Sequence, residues 1–456
     1  MDTIFASTTQ MAAAIQVREI SAVELLDAHL AQIEKQNPAL NAIVTLNADA
    51  ARNQARAADA ALARGECWGA LHGVPFTLKD SFATAGMRTT TGFPPLDHVP
   101  NEDSTVSARL KAAGGILMGK TNVATMLGDP GQSENPIFGR TNNPWNPERT
   151  PGGSSGGAAA AVAAGMTPFE IGTDLAGSIR IPAHFCGVYG LKPTENRVSA
   201  EGLIPGLPPG RSIRIMSSIG PLARTVQDLT LLYRLIAGPD GRDMEVQPIP
   251  IDAAPALDLR QLHIAVAPAL AGLPVANSIR QAIVELATQL QQAGAVVEEA
   301  TLPTLDYQQM LANAGELIGM MIGAFQPEAQ TNPTTLAHYL MALHQRDQAI
   351  MAWEHFFAQW DALLCPPAMT NAFAHCESGA SLMVDGQAFP YWLINAHTTL
   401  FNYTGHPALV MPYTLDHNGL PIGVQLVGKR WGEARLLATA QAVEQVSGGF
   451  HQPAGC

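Results

Sequence analysis

The feature that most constrains this sequence is the run Ala158-Ala159-Ala160-Ala161-Val162-Ala163-Ala164, seven residues without one polar or large side chain. Alanine is the best helix former, and a helix that is apolar around its whole circumference is stable only when neighbours cover every side. The run predicts a closely packed inner helix whose N-terminus lies in the preceding Gly152-Gly153-Ser154-Ser155-Gly156-Gly157. Surrounding such a helix takes a large core. The 456 residues, 47% hydrophobic and 14% charged, supply one and argue against disorder. At roughly 150 residues per domain the length would suggest about three domains. No repeat and no low-complexity linker divides the chain, however, so one compact body over residues 1–456 is expected.

Strand and helix patterns alternate on either side of that run. Residues 1–66 read as helices. Ser21 fits an N-cap for a helix over Ala22 to Lys35, Glu24 completes a capping box, and Asp49 to Arg64 is Ala-rich with scattered charge. An apolar strand over Val74 to Leu78, a loop from Thr84 to Ser104, a helix over Val106 to Ala113 and a strand over Gly115 to Met118 follow. The alternation returns with a strand over Leu262 to Val266, a helix capped by Ser278 with Ile279, Ile283, Leu286 and Leu290 on one stripe, and a strand over Ala295 to Glu298. Further helices are expected over about Tyr307 to Phe325 and Leu336 to Trp360. This order implies an α/β sheet. From Asp129 to Gly157 helical periodicity gives way to Gly, Pro, Asn and Ser, anchored by Ile137, Phe138 and Trp145, which predicts a long ordered loop or a site.

Charge and motif content exclude several functions. A net charge of −13 and a pI near 5.4 leave no overall basic field, so direct nucleic-acid binding is not expected. Met1-Asp2-Thr3-Ile4 carries no basic leader, and no run reaches the roughly 18 apolar residues of a membrane span, so cytoplasmic residence is the default. Cys67, Cys186, Cys365, Cys376 and Cys456 are odd in number and far apart, without a Cys-x-x-Cys pair, and no His-Glu-x-x-His occurs. Reduced thiols, no metal and no other cofactor are expected.

Three segments carry chemistry. Gly73-Val74-Pro75-Phe76-Thr77-Leu78-Lys79-Asp80 ends an apolar strand on a lysine. Lysines are mostly surface residues, but burial here would lower the amine's pKa toward that of a general base, unless Asp80 held it charged. Pro151-Gly152-Gly153-Ser154-Ser155-Gly156-Gly157 could be a flexible turn, a phosphate cradle or a nucleophile elbow. It lacks the Gly-Lys-Ser/Thr ending of a P-loop, and Asn146-Pro147-Glu148-Arg149-Thr150-Pro151 is not the strand that a dinucleotide fold or an elbow requires. Gly172-Thr173-Asp174-Leu175-Ala176-Gly177-Ser178-Ile179-Arg180 is either a turn capped by Asp174 or an oxyanion hole built from the N–H groups of Leu175, Ala176, Gly177 and Ser178. Asp174 and Arg180, paired charges flanking the bend, fit a holding role.

At these residues the chain resembles the amidase signature family, which includes small-amide hydrolases, fatty acid amide hydrolases and the glutamine-cleaving subunit of tRNA-dependent amidotransferases. The similarity is densest from Leu71 to Pro193. It includes Gly119-Lys120-Thr121-Asn122, Phe138-Gly139 with Asn143-Pro144-Trp145, and Cys186-Gly187-Val188-Tyr189-Gly190-Leu191-Lys192-Pro193, and it resumes at Gly220-Pro221-Leu222-Ala223-Arg224 and Gly405-His406-Pro407-Ala408. The resemblance implies a large domain with a mixed, twisted central sheet covered by helices on both faces. Residues 71–193 would be its signature core, and 260–456 a second α/β part completing the sheet and cleft. It further implies a Ser-Ser-Lys triad with Lys79 as base, Ser154 as proton shuttle in a cis peptide bond and Ser178 as nucleophile, with Ser155 in support near the lysine. The family usually has Gly where this chain has Ala176, which matters only if that residue needs positive φ.

Three functions remain open: a stand-alone amidase, the glutaminase subunit of a tRNA-dependent amidotransferase, and a catalytically silent relative. The apolar stretch Tyr391-Trp392-Leu393-Ile394-Asn395-Ala396-His397 favours the first, because an apolar lining selects apolar acyl groups. A small-molecule amide is the expected partner, and a homodimer is compatible with the sequence. Met126, Asp129 and Gln132 precede the signature and are candidates for the cleft lining. Met320, Met321, Trp353 and Phe356 are candidates too, although Met and aromatic stripes on helices usually form core.

Overall fold

The computed structural model of the chain describes residues 3–205, 215–270, 272–323 and 334–456. In chain order the strands are β1 (Ile43–Leu46), β2 (Pro75–Lys79), β3 (Ile116–Thr121), β4 (Glu134–Asn135), β5 (Gly139–Arg140), β6 (Glu170–Asp174), β7 (Tyr189–Lys192) and β8 (Ser218–Ala223). They continue with β9 (His263–Val266), β10 (Val296–Glu299), β11 (Ala362–Cys365), β12 (Leu382–Val384), β13 (Gln387–Phe389), β14 (Ala408–Leu415) and β15 (Pro421–Val427). Eight of them form a sheet in the order β10-β9-β11-β15-β14-β7-β8-β6. Pairing is parallel from β10 to β11 and antiparallel from β11 to β6, so the sheet is mixed as expected. Helices cover both its faces.

A second, three-stranded sheet has the order β1-β3-β2. Its edge strand β2 lies beside β6, the edge of the larger sheet, but no ladder joins them. Both strands are buried at every position. A seam between two unladdered edges leaves room for side chains where a ladder would place backbone. Lys79 ends β2 at that seam, and Thr173 sits one residue before the end of β6. The small-residue run lies alongside it. The helix Gly156–Ala163 is buried at all eight residues and packs on β2, β3, β6 and β8, as its composition predicted.

Several sequence expectations need correction. Residues 1–66 are not all helical. Helix Ala22–Leu40 begins with the predicted Ser21–Glu24 capping box, but it runs on to a left-handed Asn41, after which Ile43–Leu46 pairs with β3. A short strand whose ladder partner lies so far along the chain leaves no local pattern to find. Ser278 does not cap its helix, which starts one residue earlier at Asn277, yet Ile279, Ile283, Leu286 and Leu290 are buried as read. The next two helices are Tyr307–Gly323 and Leu336–Phe356; the expected extension to Phe325 lies outside the described residues. Trp353 is fully buried and packs against Tyr307, Phe356, Phe357 and Phe401, and Met321 is buried with it. Met321 and Trp353 are therefore core, whereas Met320 and Phe356 are half-buried. No described helix is long and apolar enough to cross a membrane.

Candidate active site

The lysine that ends β2 meets three hydroxyls. Lys79 Nζ lies 2.9 Å from Ser154 Oγ, 2.7 Å from Ser155 Oγ and 2.8 Å from Thr173 Oγ1, and all four side chains are buried. Burial pushes the amine down to about 7, against the opposing charges of Asp174 and Glu170. Asp80 does not hold it as an ammonium: its carboxylate accepts the Thr90 hydroxyl at 2.5 Å and the Thr90 N–H at 3.2 Å. Glu170, whose carboxyl burial pushes up to about 7, carries less than a full charge near neutrality. Thr173 stands in the quoted motif, but nothing in the sequence marked it as a lysine partner, because that role depends on which edge strand faces β2.

The serine-rich segment is held from below. Ser133 Oγ donates to Gly152 O at 3.0 Å and accepts from Gly156 N at 2.9 Å, and the Gly153–Ser154 peptide bond is cis. A Cβ on Gly153 would fall 2.2 Å from Gln132 O and 2.3 Å from Asp129 O, so residue 153 must be glycine for the loop to approach so closely. No strand leads into Gly152, residues 141–151 being turns and isolated bridges in irregular chain, and the helix begins only at Gly156, so the strand-turn-helix of a nucleophile elbow is absent. Ser155 N donates to Ser178 O at 3.2 Å, which ties this segment to the bend after β6.

That bend is organised by Asp174. Burial alone would raise its carboxyl, but the charge and hydrogen bonds of Arg180 hold it well below the usual carboxylate range. Oδ1 accepts from Gly177 N at 2.7 Å and Arg180 Nη2 at 2.9 Å; Oδ2 accepts from Ile179 N at 3.2 Å and Arg180 Nε at 3.0 Å. Arg180 also donates to Gln425 Oε1 at 2.8 Å. One sequence expectation changes as a result. Gly177 N–H is committed to Asp174, which leaves the N–H groups of Leu175, Ala176 and Ser178 with no acceptor among the described residues. The left-handed position is Gly177, at φ +108°, and Ala176 is not among the positive-φ residues, so alanine there carries no backbone strain. Ser178 is 7% exposed whereas Lys79 and Ser154 are fully buried, and Leu175 and Ala176 are half-buried, so of the three candidate triad residues Ser178 is the one that reaches the surface. Arg180→Ala would strand the Asp174 carboxylate in the core. We expect it to cost about 3–5 kcal/mol of stability, read by chemical denaturation, whereas an unchanged midpoint would contradict this account of the bend.

The three cleft candidates separate. Met126 is exposed, with φ 51°. Gln132 is buried with its carboxamide occupied, Nε2 donating to Cys376 O at 2.8 Å and Oε1 accepting from Cys376 N at 3.1 Å. Asp129 Oδ1 accepts from Tyr391 Oη at 2.7 Å and Gly131 N at 2.8 Å, and its other oxygen bonds Ser378. Asp129 and Gln132 thus join the loop under Gly153 to residues 376–391. The apolar stretch 391–397 is largely core: Tyr391, Ile394, Ala396 and His397 are buried, while Trp392 is 54% exposed.

A sequence model of the family described as Amidase matches residues 24–321 and 312–437. The A subunit of the glutamyl-tRNA(Gln) amidotransferase of Thermosynechococcus vestitus is 36% identical over 475 residues, covering 94% of this chain and 95% of the relative. Among solved structures, a chain from a vestigial protein complex described as revealing the evolutionary origins of an s-triazine catabolic enzyme superposes with a TM-score of 0.86 at 29% identity, covering 98% of this chain and 100% of the other. A bacterial aryl acylamidase of the amidase signature family superposes with a TM-score of 0.84 at 26% identity, covering 97% and 96%.

Proposed function

The chain belongs to the Amidase family of C–N bond hydrolases, and from that premise we propose that Ser178 attacks a carboxamide carbon while Ser154 and Lys79 carry its proton. The observation that supports this most is the buried lysine amine among three hydroxyls. A neutral amine has two N–H donors and one lone pair, so of three hydroxyl neighbours two accept and one donates. With Ser154 as the donor, its own oxygen is free to accept the Ser178 proton. Attack then moves that proton to Ser154 and the Ser154 proton to Lys79, and the carbonyl electrons move onto oxygen. The N–H groups of Leu175, Ala176 and Ser178 stabilise that oxyanion. Collapse breaks the C–N bond, the leaving nitrogen takes a proton back through Ser154, and water cleaves the acyl-enzyme by the same relay.

The base must be unprotonated. Below about pH 7 Lys79 is an ammonium and cannot accept a proton; above it the amine is free. kcat/KM is therefore expected to rise with pH to a plateau, with its inflection near 7. A profile flat from pH 5 to 9 would contradict the assignment of the base.

For the substrate, we propose a primary carboxamide of the glutamine type, hydrolysed by this chain as the amide-cleaving component of an assembly. Similarity over 94% of the chain to the A subunit of an amidotransferase supports this reading. It also replaces the preference for a stand-alone enzyme, which rested on an apolar stretch whose side chains are mostly core. The similarity to an aryl acylamidase keeps one second reading, an aryl or alkyl amide. Ammonia release from glutamine by the protein purified with any co-purifying partners, compared with cleavage of anilides, decides between them. Glutamine turnover supports the first, and cleavage of anilides alone overturns it.

A further inference from the structure

The donors of the bend after β6 are aimed partly by the second half of the chain. In a trans peptide unit the C=O and the following N–H point in opposite directions, so fixing the carbonyl fixes the N–H. The Gly177–Ser178 unit is fixed locally, because Gly177 O accepts from Ile181 N at 2.8 Å in the first turn of the next helix. The Asp174–Leu175 unit is fixed from elsewhere. Asn402, in the helix Ala396–Tyr403, donates through Nδ2 to Asp174 O at 3.0 Å, to Asp174 Oδ1 at 2.9 Å and to Met216 O at 3.0 Å. Its Oδ1 accepts from Arg180 Nη2. From the same helix Thr398 Oγ1, whose single hydrogen is shared between Asn395 O at 2.9 Å and Ala176 O at 3.3 Å, adds a weaker contact to the Ala176–Gly177 unit, whose N–H Asp174 receives. A Cβ on Gly177 would fall 2.4 Å from Thr398 Oγ1, a measure of how closely helix and bend approach.

We propose that Asn402 is a positioning residue of the reaction, one that aims the Leu175 N–H at the developing oxyanion through the carbonyl of Asp174. This role rests on Ser178 being the nucleophile. The Asn402 carboxamide is fully buried and bridges three separate segments, Asp174 with Arg180, Met216, and its own helix. Thr398 touches the neighbouring peptide unit more weakly, its hydroxyl lying closer to Asn395 O. Neither residue stood out in the sequence, because both lie more than two hundred residues from the bend.

The test measures steady-state hydrolysis and fluorophosphonate labelling of Asn402→Ala, Asn402→Asp and Thr398→Val in the full chain, with thermal melting as a control for folding. An oxyanion donor is worth about 10²–10³ in kcat, so Asn402→Ala, which loosens one donor without deleting it, is expected to lower kcat and the labelling rate roughly 10–100-fold while KM changes less than about threefold. Asn402→Asp brings a second carboxylate against Asp174 and is expected to be no better. Thr398→Val keeps the volume and should show a smaller fall of the same kind. If the variants melt lower but keep kcat and labelling rate at wild-type values, the residue is merely structural and the inference is wrong. If Asn402→Ala does not fold, Asn402→Leu decides, because it keeps the volume and removes the carboxamide: a wild-type kcat and labelling rate there overturn the inference. Failure of wild-type Ser178 to label would instead overturn the underlying assignment, so the two failures are distinguishable.

Discussion

Ser178→Ala is expected to remove amide turnover to within the residual catalysis of the binding site, a fall of about 10⁴–10⁶ in kcat, with little change in stability. The two halves of that expectation have separate origins. Loss of the proposed nucleophile would remove the acyl-enzyme route altogether, and no neighbouring hydroxyl would replace it, since Ser154 and Ser155 are turned to Lys79 Nζ at 2.9 and 2.7 Å. Stability should hold because the Ser178 side chain accepts and donates no hydrogen bond among the described residues; the tie to Ser155 runs through its backbone carbonyl. A variant that keeps more than about a hundredth of wild-type kcat would be incompatible with a single essential nucleophile at this position.

The second large effect is at Lys79. Truncation to alanine would open a cavity at the seam between β2 and β6 and remove the partner of three buried hydroxyls, so it confounds folding with chemistry. Lys79→Met leaves the same three hydroxyls without the amine but keeps nearly the same volume, so it opens no cavity. We expect it to fold and to lose about 10³-fold or more in kcat, in line with the combined loss of base and proton donor. Its remaining rate should lack the inflection near pH 7, because the group that titrates there is gone. An inflection that persisted in the folded variant would assign the base elsewhere, with Glu170, its carboxyl also pushed up to about 7, as the alternative group at the seam.

Much of this site was legible in the residues. The all-small run from Ala158 to Ala164 required a surrounded helix, and the helix is buried on every side. The missing strand before Gly152 argued against an elbow, and none is present among the described residues there. What the residues could not show is tertiary in origin. Thr173 became a lysine partner only when β6 was laid against β2. Asn402 and Thr398 reach the bend from a helix more than two hundred residues away. The apolar stretch from Tyr391 was legible as apolar but not as core, and its burial takes away the support it lent to an apolar acyl group. The commitment of Gly177 N–H to Asp174 was equally hidden, because a run of backbone donors does not reveal which of them an acceptor already holds.

Everything proposed for the reaction depends on Ser178 forming the covalent bond. Treatment of the folded wild-type chain with a fluorophosphonate, followed by peptide mapping of the adduct, tests it directly. A single adduct on Ser178 is predicted, absent in Ser178→Ala and slowed in Ser154→Ala and Lys79→Met. An adduct on Ser154 that persists in Ser178→Ala would contradict it.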